Sequence, residues 1–212
     1  MDRQLPNIWL PIQELARRKG SEGERGILKL LDSTDPYIRS YLIDRLSIEN
    51  NIIPYISKVR SLLLDSDSNV IIAACKAISK ITDSDCADLF FKILANPDPR
   101  VLSAAIEAII SLNIKCPLLV FFKILSKSNS SSELKKVLLN AILTRTSHDN
   151  WLEVFAVFSK FPGGTFRVKA CDLFLQYGSI FELELLTALK QDIDPHVRAA
   201  AFRAVSHFDK IV

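Results

Sequence analysis

The chain has 212 residues, 49% of them hydrophobic, and 27 Lys and Arg against 24 Asp and Glu give a formal net charge of +3. That length and apolar fraction suit one or at most two domains with a sizeable core. A small net charge with both signs interspersed argues against a nucleic-acid partner. Six glycines and no Asn-Gly or Asp-Gly turn point to an all-α class, and no apolar run is long enough to span a bilayer.

In chain order, Trp9 to Lys19 reads as an amphipathic helix with Arg17, Arg18 and Lys19 at its C-terminal end, where cations suit the helix dipole. With the loop Gly20-Ser21-Glu22-Gly23 it makes residues 1–23 an N-terminal cap. From residue 24 to 212 the sequence reads as one array of six helical hairpins, at about 24–47, 52–81, 85–112, 116–145, 149–177 and 180–208. The first buried residues of the second helices are predicted as Ile38, Val70, Val101, Leu134, Phe166 and Val197, at spacings of 32, 31, 33, 32 and 31. A fixed period of this size marks stacked repeats.

The turns carry the local chemistry. Asp35, Asp98 and Asp194 precede Pro36, Pro99 and Pro195; an Asp suits the N-cap, and a proline at the first helical position gives up no useful amide. Ser130 has capping-box spacing with Glu133. Cys75 and Cys171 hold equivalent positions in the repeat, as small core residues do. The four cysteines form no Cys-x-x-Cys pair, so buried free thiols and a cytoplasmic setting are expected.

Stacking the second helices gives comparable columns. The fifth residue after the zero position (Ile43, Cys75, Ile106, Leu139, Cys171, Phe202) is apolar throughout and is predicted as core. The sixth (Asp44, Lys76, Glu107, Asn140, Asp172, Arg203) is polar throughout and predicts a solvent-facing line. Four residues to either side on the same helical face lie Lys136 with Ile72 and Val168, and Lys80, Gln176 and His207. Asp44, Lys76, Lys80, Glu107, Lys136, Asn140, Asp172, Gln176, Arg203 and His207 are therefore the expected partner-binding face. A further column, Arg39, Ile71, Leu102, Lys135, Arg167 and Arg198, is mostly basic. It predicts ion pairs bracing the turns beside Asp32, Asp35, Asp192 and Asp194.

The turn-plus-helix pattern resembles HEAT repeats, especially the short bacterial form related to lyase-type HEAT-like repeats. The matching residues are Asp35-Pro36-Tyr37-Ile38-Arg39, Asp98-Pro99-Arg100-Val101 and Asp194-Pro195-His196-Val197-Arg198 with Ala199-Ala200-Ala201. The resemblance implies a right-handed α-solenoid whose second helices line a concave side, and a protein-binding or scaffolding role. Pro162-Gly163-Gly164-Thr165 stands where the pattern has Asp-Pro.

No phosphate loop is present, and His196 and His207 stand too far apart along one helix to share a metal ion, so no catalytic residue, metal or cofactor is expected. The aromatics of the fifth repeat are dense, and Trp151, Phe155 and Phe158, with Trp9 at the cap, form a possible aromatic hot spot. The leading expectation is a non-catalytic adaptor that binds another protein through its concave face, as an inhibitor, immunity-type or assembly factor. The alternatives are a HEAT-like DNA-binding protein or DNA glycosylase using Asp172 among the aromatics, and a bilin lyase-like subunit.

Overall fold

The computed structural model describes residues 21–83, 85–127 and 131–208; Trp9 and the predicted capping helix lie outside the described residues, as does Ser130. Among the described residues the fold is all-α. Helices α1 (Ser21–Leu31) and α2 (Pro36–Ile48) form the first hairpin, and α3 (Ile56–Ser61) and α4 (Ser68–Lys80) the second. They are followed by α5 (Ala87–Ile93), α6 (Pro99–Ser111), α7 (Leu118–Lys127), α8 (Ser132–Leu143), α9 (Trp151–Phe158), α10 (Gly164–Tyr177), α11 (Thr187–Lys190) and α12 (Pro195–Phe208). The predicted register of second helices is the observed one. Helix α1, however, begins at Ser21, within the predicted loop, with Glu22 and Glu24 in its first turn, where acids suit the positive end of the dipole.

The first helices are less regular than their apolar periodicity predicts. The second hairpin enters through a 3-10 turn at Ile53–Tyr55 and leaves through another at Leu62–Leu64, with Pro54 at the start, where a missing amide is tolerated. In the sixth, Ile180–Leu186 is 3-10 and only Thr187–Lys190 is α-helical. Its start is a capping box: the Ser179 amide and hydroxyl both donate to Glu182 Oε2, at 2.9 and 2.8 Å.

Two compact units form, Met1–Pro117 with Lys127–Leu138 and Leu118–Ser126 with Leu139–Val212. In the first, α2 packs on α4 and α4 on α6, while α1 and α5 lie against α2 and α6. In the second, α10 packs on both α9 and α12, and α11 on α12. This is the layered order of an all-α solenoid, in which each hairpin buries its apolar stripe against its neighbours.

Five of the six second helices start on a capping side chain, the exception being α10, whose N-cap is Gly163. Asp35, Asp98 and Asp194 accept from the amide two residues on, at 2.9, 2.8 and 2.9 Å, and Asp67 accepts from Asn69 and Val70. At α8 the hydroxyl of Ser131 accepts from the Leu134 amide at 3.3 Å. One step earlier, Ser33, Asp65, Asn96 and Asp192 accept from the amides of Asp35, Asp67, Asp98 and Asp194, so two successive side chains hold each of these turns. The helix ends repeat too. Asn50, Thr82 and Asn113 adopt φ of 57°, 56° and 50°, and the next residue's amide donates back to Leu46, Ile78 or Ile109, a left-handed C-terminal cap built without glycine.

The glycine at the start of α10 has a local cause. A Cβ on Gly164 would lie 2.0 Å from Asp194 Oδ2, so the cap of α12 occupies the space that a side chain would need. That excludes the proline at this turn, whereas a Cβ on Gly163, at the Asp position, would meet only ordinary contacts at 3.7–3.9 Å.

Candidate partner-binding face

The zero column is fully buried at Val70, Val101 and Val197 and nearly so at Leu134 and Phe166, while Ile38 is half-buried. The fifth-residue column is core at Ile43, Cys75, Ile106 and Cys171. Leu139 is only half-buried, and Phe202 is 56% exposed. The prediction of a core column therefore fails at α12. No described helix follows α12 to cover that residue.

The predicted solvent line is where the register puts it. Asp44, Lys76, Glu107, Asn140 and Arg203 are exposed and Asp172 is half-exposed. In the first unit, partial desolvation raises the Asp44 carboxyl above its ordinary value, and the nearby Lys76 ammonium opposes the rise. Lys80 donates to the Ser47 carbonyl at 2.6 Å, tying the end of α4 to α2. Ile48 is exposed and Ile72 half-buried beside them. Lys136 lies near Glu133, one turn back, at 3.6 Å. In the second unit, Asp172 accepts from Lys169 at 2.9 Å. Gln176 donates to the Tyr177 hydroxyl at 3.0 Å, and His207 sets its ring edge-on against Phe208.

The basic column behaves differently from the line. Arg39 grips Asp65 with Nε and Nη2, at 2.9 and 2.6 Å, and donates through Nη1 to the Ser33 carbonyl. Arg167 repeats this, holding Asp192 at 2.7 and 2.9 Å and the carbonyls of Phe161 and Pro162. The expected carboxylates thus need correction. Each arginine braces its own turn through carbonyls and takes its carboxylate from the following hairpin, while Asp32 pairs with Lys58. A forked guanidinium makes both possible at once. In the second hairpin Arg60 of α3 pairs with Asp83 and Asp85, ahead of α5.

The three aromatics predicted as a hot spot in the fifth repeat are core. Trp151, Phe155 and Phe158 are buried, and Trp151 sets edge contacts 6.0 Å from both Phe155 and Phe174. Edge-to-face ring packing in one hairpin uses up this density. Asp172 and the rings therefore form no acid-and-aromatic constellation at the surface. Phe181, 92% exposed, is the exposed remainder of that group. Among the described residues, no three His, Cys, Asp or Glu side chains are placed to hold a metal ion, and no helix is long and apolar enough to cross a membrane.

Sequence reasoning missed that Phe202 stands 56% exposed on α12, one turn from the half-buried Arg198.

Residues 24–110 match the family model for HEAT repeats. A solved structure of an engineered protein is similar over 87% of this chain and 96% of that one, at 18% sequence identity and a TM-score of 0.46. The search of curated proteins returned no match. The repeated acidic caps and the arginine clasps agree with the match of residues 24–110 to HEAT repeats.

Proposed function

We propose that this chain is a non-catalytic protein-binding module of the cytoplasm that takes its partner on exposed polar side chains of its second helices. The observation that carries the reading is a division of labour among the charged residues. Arg39 and Arg167 are spent on bracing turns and joining hairpins. Asp44, Lys76, Glu107, Asn140 and Arg203 stand exposed, and their side chains make no hydrogen bond or close ion pair with other described residues. Such groups, beside the apolar Ile48 and Ile72, can be matched by a complementary surface without breaking contacts in the fold. Four buried free thiols suit a reducing compartment.

The test is affinity purification from source-cell lysate with Asp44→Lys, Lys76→Glu, Glu107→Lys and Arg203→Glu combined. Far-UV circular dichroism should remain unchanged, and recovery of specific partners should fall at least tenfold. Recovery of the same partners in the same amounts would overturn the assignment to these side chains.

A further inference from the structure

With the protein-binding reading above as its basis, we propose that the row Asp44, Lys76 and Glu107 of the first unit takes a partner helix lying across α2, α4 and α6. That helix carries a basic, an acidic and a basic side chain at heptad spacing.

The three residues hold the same register in α2, α4 and α6, and within the unit α2 packs on α4 and α4 on α6. All three are exposed, so the row runs acid, base, acid across neighbouring helices. One turn to either side lie Ser40, Ile72 and Ser103, and Ile48, Lys80 and Ser111. Lys80 is the single charge among those six, and its ammonium already donates to the Ser47 carbonyl at 2.6 Å. The alternation of charge is therefore confined to one row. Within it the Lys76 ammonium opposes the rise that burial imposes on the Asp44 carboxyl, so the two groups share a field across α2 and α4 without closing an ion pair.

The spacing of the row selects the shape of the occupant. Packed helix axes lie about 8–10 Å apart. A heptad of α-helix rises about 10 Å and completes close to two turns, so side chains one and two heptads on return to the same side. An extended chain covers that distance in about three residues, and an odd step sends the middle side chain to the opposite face. A straight strand that reached Asp44 and Glu107 would thus turn away from Lys76, whereas a helix meets all three.

The flanks add an apolar requirement. Ile48 is 63% exposed on α2 and Ile72 half-buried on α4, one on each side of the row. A crossing helix brings the residues three and four places after its first base to the same side as that base, over the space between Asp44 and Lys76. An apolar residue at one of those places covers the isoleucines. A second copy of the same row, laid in register, would set like charge on like charge at all three positions, which is strongly unfavourable at an interface. The occupant is therefore a helix of the opposite charge order.

The probe is a phage-displayed library of three-heptad, alanine-based helices, long enough to be helical alone, with Ala, Leu, Lys and Glu encoded at each position. It is selected on the full chain, with the combined variant Asp44→Lys, Lys76→Glu and Glu107→Lys as counter-target; circular dichroism checks that the variant folds. Enriched clones should carry Lys, Glu and Lys at heptad spacing, with Leu three or four places after the first Lys. Fluorescence anisotropy of one such labelled peptide should show binding that weakens with added salt and is at least tenfold weaker to the combined variant. Selection on the variant itself should return Glu, Lys and Glu at the same spacing. No enrichment, a different charge spacing, or equal binding to the variant overturns the proposal. Lysate partners that still depend on these charges would in that case mean a ligand of another shape, with the protein-binding reading intact.

Discussion

At the residue scale, local backbone conformation sets costs that composition does not display. Thr82 ends α4 with a φ of 56°, a left-handed conformation that costs an L-residue about 1–2 kcal/mol and penalises a β-branched side chain most. Its equivalents are Asn50 and Asn113, whose short amides tolerate that region. Thr82→Gly should stabilise the fold by about 0.5–1 kcal/mol, after the greater freedom of glycine in the unfolded chain is offset. The measurement is a rise in the urea midpoint at unchanged slope. A lowered midpoint would mean that the Thr82 hydroxyl, which donates to Ile81 O at 2.8 Å, matters more than the strain. Both helix starts and these left-handed ends recur with the period. Only the starts were legible, because Asp-Pro is a distinctive pair, whereas Asn, Thr and Asn share no obvious pattern.

At the scale of elements, the arginine clasp joins one hairpin to the next. Asp192 is held below the ordinary carboxylate range, first by its hydrogen bonds to Arg167 and then by the amide of Asp194 and the charge of Arg198, against the effect of burial. Burial pushes Asp65 up, but Arg39 and the Asp67 and Ser66 amides outweigh it and hold that carboxyl low as well. A carboxyl depressed in the folded state contributes stability that is present above its unfolded value, near 3.8, and is lost as pH falls through the folded value. Stability should therefore decline steadily as pH is lowered from about 5 toward 2. Asp192→Asn should cost about 1–3 kcal/mol at pH 7 and flatten that decline, as read from urea midpoints across the pH series. An unchanged slope below pH 4 would show that Asp192 does not carry the linkage. The basic column was visible in the sequence, but its partners were not. Asp32 and Asp35 are nearer Arg39 in the chain than Asp65, and only the stacking of hairpins brings Asp65 within reach.

At the scale of the whole molecule, the four thiols report on how tightly each unit is closed. Burial pushes the Cys75 and Cys171 thiols up to about 12 and Cys86 up to about 11, and Cys116 is buried with them. A thiol that is neither exposed nor ionised is a poor nucleophile. Native protein at pH 8 should therefore release almost no thionitrobenzoate from Ellman's reagent, with all four equivalents appearing on unfolding. Rapid reaction of one thiol in native protein would locate an opening in its unit. At this scale two compact units form, with boundaries at either end of α7 and within α8.

The sequence by itself determined the all-α class, the register of the six second helices and the exposed polar line from Asp44 to Arg203. Helical periodicity and capping are local properties repeated every turn and every hairpin, so adjacent residues suffice to read them. Tertiary structure decided which charges are spent and which are free, and which aromatics are core. It also decided where a core column runs out of neighbours. Those outcomes depend on what the next hairpin brings: Asp65 and Asp192 turn Arg39 and Arg167 into clasps. Arg198 holds only the carbonyls of Asp192 and Ile193, and Phe202, in a column that is core at Ile43 and Cys171, is 56% exposed.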